Sequence, residues 1–302
     1  MLKDTLLSLS QNDRFREFVL QNKIARSASR RFVAGELLDE ALHAALALNK
    51  QSIQVALDLL GENVASEQDA RNITQDYISA LDLVAHTNLA ANLSIKLTAL
   101  GLDVSRDLCE ENLDAILEQG KQHNIFVCID MEGSDYTERT IEIARRAKQR
   151  YDGVGTVIQS YLYRSRADVE GLCDLSVRVR LVKGAYQEPQ SIAYQQKREV
   201  DQSYVESMKI LLARGNFPAI ATHDEEIIKE ACAFVRDHGI SKDAFEFQML
   251  YGIRRDLQEK LVRQGYNMRV YVPYGAQWYP YMMRRMAERP ANLMFVLTNL
   301  LR

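Results

Sequence analysis

Val177-Arg-Val-Arg180-Leu-Val-Lys183-Gly-Ala-Tyr186 reads as a strand with one apolar and one charged side. Val179 and Leu181 alternate with Arg178 and Arg180, so the valine and leucine side chains can face helices while both guanidiniums point the other way, into a barrel. Gly184, just past the strand, lets the backbone approach a ligand closely. Charges turned inward are costly unless they pair or meet a ligand, and a polyanionic cofactor would satisfy this cluster.

Outward from this run the same pattern recurs. Short stretches rich in Val, Ile and Leu predict eight strands, at Ile53–Leu59, Asn92–Leu97, Ile125–Asp130, Thr156–Ser160, Val177–Val182, Ala219–Thr222, Ala244–Gln248 and Met268–Val272. Between them lie segments of helical period at Glu67–Leu89, Asp107–His123, Tyr136–Arg150, Ala167–Leu175, Ser191–Arg214, Glu225–His238 and Arg254–Gln264. A last helix follows over about 279–289. Ser66 with Asp69, Ser105, Ser134 and Asp224 supply N-caps. Strand and helix alternating eight times predict a parallel α/β barrel of the (β/α)8, TIM-like type over residues 51–302.

Residues 1–50 fall outside that count and form an N-terminal helical extension. Two or three amphipathic helices are expected there, over Thr5–Asn22, Arg26–Phe32 and Gly35–Asn49, capping the barrel or forming a dimer contact. No Pro/Gly/Ser linker separates them from the barrel. Gly153-Val-Gly155 starts like a dinucleotide fingerprint, but it precedes a strand and its third glycine position is Ile158, so a Rossmann reading fails.

Composition removes several functions. Lys+Arg 38 against Asp+Glu 41 leaves no basic stripe for a phosphate backbone, so nucleic acid is not an expected partner. Cys109, Cys128, Cys173 and Cys232 are widely spaced and the histidines form no paired motif, which argues against a metal site and for reduced thiols. No apolar stretch spans a bilayer and no signal peptide opens the chain, so a cytoplasmic protein is expected.

The functional end of such a barrel lies at the C-terminal ends of its strands. Those positions carry Glu62, Lys96, Asp130, Gln159, Arg180 with Lys183, Thr222 with His223, Gln248 with Leu250, and Tyr271. One helical turn after Tyr281 stand Arg284 and Arg285. Alone, such a pair reads as a solvated step on a helix. Beside tyrosine rings and a polar barrel mouth it suits a small ligand with a carboxylate and an apolar body, because guanidinium grips a carboxylate bidentately.

Taken together, Arg180-Leu-Val-Lys-Gly-Ala-Tyr186, Ser94-Ile-Lys-Leu97, Glu246-Phe-Gln-Met-Leu250, Ala221-Thr-His223 and the block Tyr271 to Tyr281-x-x-Arg-Arg-x-x-Glu288 resemble the proline dehydrogenase family. The likeness runs from about residue 50 to 302 and is greatest to the compact monofunctional bacterial branch. It implies a distorted barrel, FAD as cofactor, and oxidation of L-proline to Δ1-pyrroline-5-carboxylate with electrons passed to a quinone-type acceptor. It further implies that Arg180 sits beside the isoalloxazine near N5, that Asp130 and Met131 lie where flavin and proline meet, with Lys96 as ionic partner of Asp130, and that Gln159 bonds the flavin ring. Lys183, Gly184 and Ala185 would line the ribityl and pyrophosphate path, with Thr222, His223 and Glu288 completing the cofactor site. Arg284 and Arg285 would clamp the proline carboxylate, inside a cage of Leu250, Tyr271 and Tyr281. Glu62 would join one arginine in a mobile gate, since Gly61 frees its loop. Gln187 departs from the pattern, standing where the long bifunctional members carry a tryptophan beside the flavin.

A quinone acceptor would bring the chain transiently to the inner face of the membrane. The apolar-rich tail Asn292–Leu301 reads first as a helix packed on the barrel and second as a membrane contact. Two other readings remain at this point. A Schiff-base aldolase or lyase would use Lys96 or Lys183 as nucleophile, and a non-catalytic interaction protein would bind no flavin.

Overall fold

The computed structural model describes residues 29–62 and 64–288, with 284–288 as backbone only. Eight strands, β1 Gln54–Leu59, β2 Ala91–Ile95, β3 Val127–Ile129, β4 Val154–Gln159, β5 Arg178–Val182, β6 Ala219–Ala221, β7 Glu246–Leu250 and β8 Asn267–Tyr274, pair in parallel and close into a barrel in chain order. β8 returns to β1 over six residue pairs, from Gln54 opposite Arg269 to Leu59 opposite Tyr274. The helices are α1 Leu38–Asn49, α2 Glu67–His86, α3 Arg106–His123, α4 Thr137–Arg150, α5 Ser165–Asp174, α6 Lys197–Arg214, α7 Glu225–Asp237, α8 Arg255–Arg263 and α9 Trp278–Glu288.

Strand residues alternate between two environments, as the pleat requires. Val55, Leu57, Leu93, Ile95, Val127, Ile129, Val179, Leu181, Ile220 and Phe247 turn outward and form one core with the apolar stripes of the surrounding helices. Three expected caps form: Ser66 Oγ accepts from the Asp69 amide at 3.1 Å, Ser105 Oγ from Leu108 at 3.4 Å, and Asp224 Oδ1 from Glu226 at 3.2 Å. Ser134 does not cap a helix. It opens a short 3-10 turn, and both its amide and its hydroxyl donate to Glu188 instead.

α6 begins at Lys197, six residues after the expected Ser191. Residues 191–196 are held otherwise, with the Tyr194 amide on the Tyr161 carbonyl at 2.8 Å and Glu199 accepting from the Gln196 amide at 3.3 Å to start the helix. β7 is displaced by two residues from Ala244–Gln248, because the Ala244 amide closes a turn on the Ser241 carbonyl.

Of the N-terminal extension, Thr5–Asn22 lies outside the described residues and Arg26–Phe32 does so in part. α1 packs Ala41, Leu42 and Ala45 into the barrel's own core. The Ala34 amide donates to the Pro273 carbonyl at 2.9 Å, and Trp278 Nε1 to Glu36 at 3.1 Å. Gly252, after β7, lies so close to the Arg31 carbonyl that a Cβ would fall 1.8 Å from it. The extension therefore rests directly on a loop of the barrel mouth. No helix among the described residues is long and apolar enough to cross a membrane.

Candidate active site

At the mouth, inward side chains from β1, β2, β3, β5 and β8 meet as charge pairs. Arg180 Nη1 donates to Asp130 Oδ1 at 2.6 Å, and Nη2 to Ser94 Oγ at 3.0 Å. The Tyr271 hydroxyl donates to the other Asp130 oxygen at 2.6 Å, and the Arg180 guanidinium lies 5.1 Å from the centre of the Tyr271 ring. Asp130 is thus fully engaged.

Lys96 binds elsewhere. Its Nζ donates to Asp58 Oδ1 at 2.5 Å, which corrects the expected pairing of Lys96 with Asp130. Asp58 lies in register with Ser94, on the strand next to that of Lys96 and on the same inner face. Burial alone would lower the lysine pKa, but the charges of Asp58 and then Asp130 outweigh it and hold the ammonium well above the usual lysine range. Burial, then the charges of Asp130 and Asp58, push the Tyr271 phenol far up as well, so it stays a proton donor. Sequence reasoning missed Asp58, whose signal was a carboxylate inside the otherwise apolar run Val55-Ala-Leu-Asp-Leu59.

Arg178 faces inward as expected, but it reaches the barrel floor and not the mouth. It pairs with Glu246 at 2.9 Å, between the rings of Phe126 and Phe217 at 4.3 and 4.4 Å. Arg269 Nε joins the same carboxylate at 3.0 and 3.1 Å. Of the two guanidiniums in Val177–Tyr186, only Arg180 is left for a ligand. Glu246 was likewise missed, although it is a charge at the head of a strand. Among described inward groups, Lys96 and Arg180 pair with Asp58 and Asp130, and Arg178 and Arg269 with Glu246, while the buried Glu132 after β3 also feels the Lys96 charge. At the mouth the paired charges balance two against two, and the surplus cation, Arg178 and Arg269 over Glu246, is buried at the floor.

A cavity of about 690 Å³ opens above these pairs. Asp58, Lys96, Asp130, Met131, Gln159, Arg180, Lys183, Gly184, Ala185, Thr222, His223, Leu250, Tyr271 and Tyr281 all line it, joined by Tyr186, Lys197 and Arg254, which the sequence reading did not select. Its size and its mixture of apolar walls with a few convergent polar groups suit a small-molecule or cofactor site. Gln159 Oε1 and Arg180 Nε, both in its lining, are buried without a hydrogen-bond partner among the described residues. Gln159 is oriented by its amide, which donates to the Glu132 carbonyl at 3.3 Å.

Further along the cavity, Lys183 donates to Asp201 at 2.5 Å and Asp224 at 2.9 Å. Gly184 adopts φ +111°, and a Cβ there would fall 2.4 Å from the Tyr161 ring, so the glycine is required by packing whatever the ligand. The Leu250 amide donates to His223 Nε2 at 2.9 Å, which assigns that nitrogen as an acceptor and fixes the ring. Thr222 Oγ1 accepts from the Asp224 amide at 3.1 Å. Glu62 is half-buried after β1, close enough to Glu132 for the two charges to interact. Arg284, Arg285 and Glu288 lie on α9, but their side chains fall outside the described residues. Gln187 is exposed and does not line the cavity. Among the described residues no cluster of His, Cys, Asp and Glu is placed to hold a metal.

Comparison with known proteins agrees with this geometry. The proline dehydrogenase family model matches residues 41–298. Over 302 residues, all of both chains, the sequence is 44% identical to proline dehydrogenase 1 of Bacillus subtilis subsp. natto. It is 44% identical over 277 residues to proline dehydrogenase of Deinococcus radiodurans, covering 90% of this chain and 89% of that one. The crystal structure of proline utilization A from Bdellovibrio bacteriovorus inactivated by N-propargylglycine superposes with a TM-score of 0.82 at 25% identity, over 93% of this chain and 38% of the other. With a family model spanning most of its length and full-length relatives of this identity, the chain belongs to the proline dehydrogenase family.

Proposed function

We propose that this protein oxidises L-proline to Δ1-pyrroline-5-carboxylate, the first step of proline catabolism to glutamate, with FAD as its cofactor. The observation that carries the reading is the Arg180–Asp130–Tyr271 group, a buried and oriented guanidinium held at the mouth of the cavity with its Nε left without a partner among the described residues. The residues present fit a flavin. Gln159 Oε1 is a buried acceptor in want of a donor, which a ring N–H supplies, and Arg180 Nε is a buried donor in want of an acceptor.

FAD, when bound, supplies the chemistry, accepting the hydride from proline C5. The chain's own residues orient and stabilise. Asp130 and Ser94 fix the Arg180 guanidinium, so its charge is in place before negative charge develops beside it. Met131 would pack beside the ring. Lys183, Gly184 and Ala185 would follow the ribityl and pyrophosphate, and Thr222 and His223 would lie toward the adenosine, with Glu288 completing the site. Lys96, held protonated by Asp58, would meet the proline carboxylate together with Arg284 and Arg285. Leu250, Tyr271 and Tyr281 would enclose the pyrrolidine ring, and Glu62 would close over it with one arginine. The electrons would leave to a quinone-type acceptor, in transient contact with the membrane surface.

The Schiff-base reading is disfavoured by the same geometry. An amine nucleophile must be neutral, whereas Lys96 is held protonated by Asp58 and Lys183 is bound by two carboxylates. The deciding experiment is the visible spectrum of the purified protein. A flavin band that L-proline bleaches under anaerobic conditions is expected. A colourless protein that neither takes up FAD nor responds to proline would overturn the proposal.

A further inference from the structure

The cavity wall that would carry the cofactor is made of three loops, following β3, β4 and β5, and one carboxylate joins the first to the last. Glu188, half-buried in the loop after β5, accepts from the Ser134 amide at 2.8 Å through Oε1 and from the Ser134 hydroxyl at 2.5 Å through Oε2. Ser134 follows Asp130 and Met131 by a few residues, and Glu188 follows Lys183, Gly184 and Ala185 by as few. Fifty-four residues of sequence separate the two ends of this bridge. Beneath it lies Tyr161 from the loop after β4. Its ring meets Gly184, its amide donates to the Lys183 carbonyl at 3.0 Å, and its buried hydroxyl makes no well-formed hydrogen bond. Burial, then the Glu188 charge, push that phenol up, which places the carboxylate close by.

We propose that Glu188 is a positioning residue whose carboxylate straps the loop after β3 to the loop after β5 and so sets the wall against which the cofactor lies. Glu188 does not itself line the cavity. It acts through Met131 on one side and Lys183–Ala185 on the other, all of which do. Both bonds are made to a carboxylate, and they tie the two loops directly, beside the indirect tie through the end of β4, where Gln159 reaches the Glu132 carbonyl and the Tyr161 amide the Lys183 carbonyl.

The inference rests on the flavin reading, so its test has a cofactor-free arm. In the apo-protein, hydrogen exchange at the Ser134 amide is protected by Glu188 and should accelerate at least tenfold in Glu188→Ala, with the circular dichroism of the fold unchanged. FAD titration of apo-protein, followed by quenching of flavin fluorescence, should then show at least tenfold weaker binding for Glu188→Ala. Glu188→Gln should stay within about threefold of wild type, since its amide can accept from the Ser134 N–H and donate to the Ser134 oxygen. Should Glu188→Ala fail to fold, Ser134→Ala removes only the hydroxyl bond and should weaken FAD binding in the same direction by a smaller factor. Unchanged Ser134 exchange in Glu188→Ala would overturn the strap, and so would a Gln variant as defective as Ala. Wild-type FAD affinity in Glu188→Ala would overturn its role in positioning. Failure of the wild-type protein to bind FAD at all would instead strike the flavin reading, while the exchange result would still judge the strap.

Discussion

Lys96 is held by Asp58, Nζ to Oδ1 at 2.5 Å, on neighbouring strands inside the barrel mouth. The pair is almost wholly buried, so its worth depends on both partners being present. Asp58→Ala would leave an ammonium in the interior facing Asp130, whose charge also acts on it but which is already shared by Arg180 and Tyr271. Breaking a buried pair from one side costs about 3–5 kcal/mol, whereas removing both charges for apolar groups is often neutral. Denaturant unfolding should therefore show Asp58→Ala strongly destabilised and the double variant Asp58→Leu, Lys96→Met much less so. Equal stability of the two would show that the pair is not coupled.

Arg180 and Tyr271 grip opposite oxygens of Asp130, and their losses should not be equal. Arg180→Met removes the guanidinium that β5 turns into the mouth, and a preorganised charge of this kind commonly contributes about 10²–10³ in rate. Tyr271→Phe removes one hydrogen bond to an ionised group, about 1.5–3 kcal/mol, while Arg180 still orients the carboxylate. Anaerobic stopped flow with proline should find reduction in Arg180→Met slowed by two to three decades and in Tyr271→Phe by one to two. A Tyr271→Phe effect larger than that of Arg180→Met would reverse the assignment.

The barrel was legible because apolar strand runs and helical periods alternate without a break, and every expected strand overlaps an observed one. The inward turn of Arg178 and Arg180 was legible too, since a pleat alternates strictly. Partners were not. Strand order is local information, but register decides that Asp58 faces Ser94 beside Lys96, and that Glu246 collects Arg178 and Arg269 at the floor. Both carboxylates were visible as isolated charges in apolar strands, and a charge count of the inner face would have flagged them. The late start of α6 escaped because residues 191–196 keep a helix-like composition while their backbone pairs with the loop after β4.

Arg284→Lys and Arg285→Lys test the substrate clamp. Both residues stand on α9, which follows β8 directly at the mouth. Lysine keeps the charge but loses the planar fork, and one charge-assisted hydrogen bond is worth about 1.5–3 kcal/mol. Each variant should raise the KM for proline at least tenfold with FAD content near that of wild type. Wild-type KM in both would remove these arginines from the carboxylate site.

Asp224 joins stability to the cofactor path. Its Oδ1 caps α7 through the Glu226 amide, and its Oδ2 accepts from Lys183 at 2.9 Å. Burial acts to raise its pKa, but hydrogen bonding and charge from Lys183, then from Lys197, prevail and bring it down to about 2. A carboxyl in the unfolded chain titrates near 3.9, so the folded value is depressed. Its contribution is therefore fully present above about pH 4 and is lost as pH falls toward 2. Asp224→Asn retains an oxygen for the cap and loses only the charge, so it should be less stable than wild type at pH 7, by roughly 1 kcal/mol or less because solvent reaches the group. That gap should close by about pH 2. Asp224→Ala loses the cap as well, which adds about 0.5–2 kcal/mol at either pH. Urea unfolding of all three proteins from pH 7 to pH 2 separates the parts. A gap between wild type and Asp224→Asn that stays constant over this range would show that Lys183 and Lys197 do not hold the carboxylate in solution.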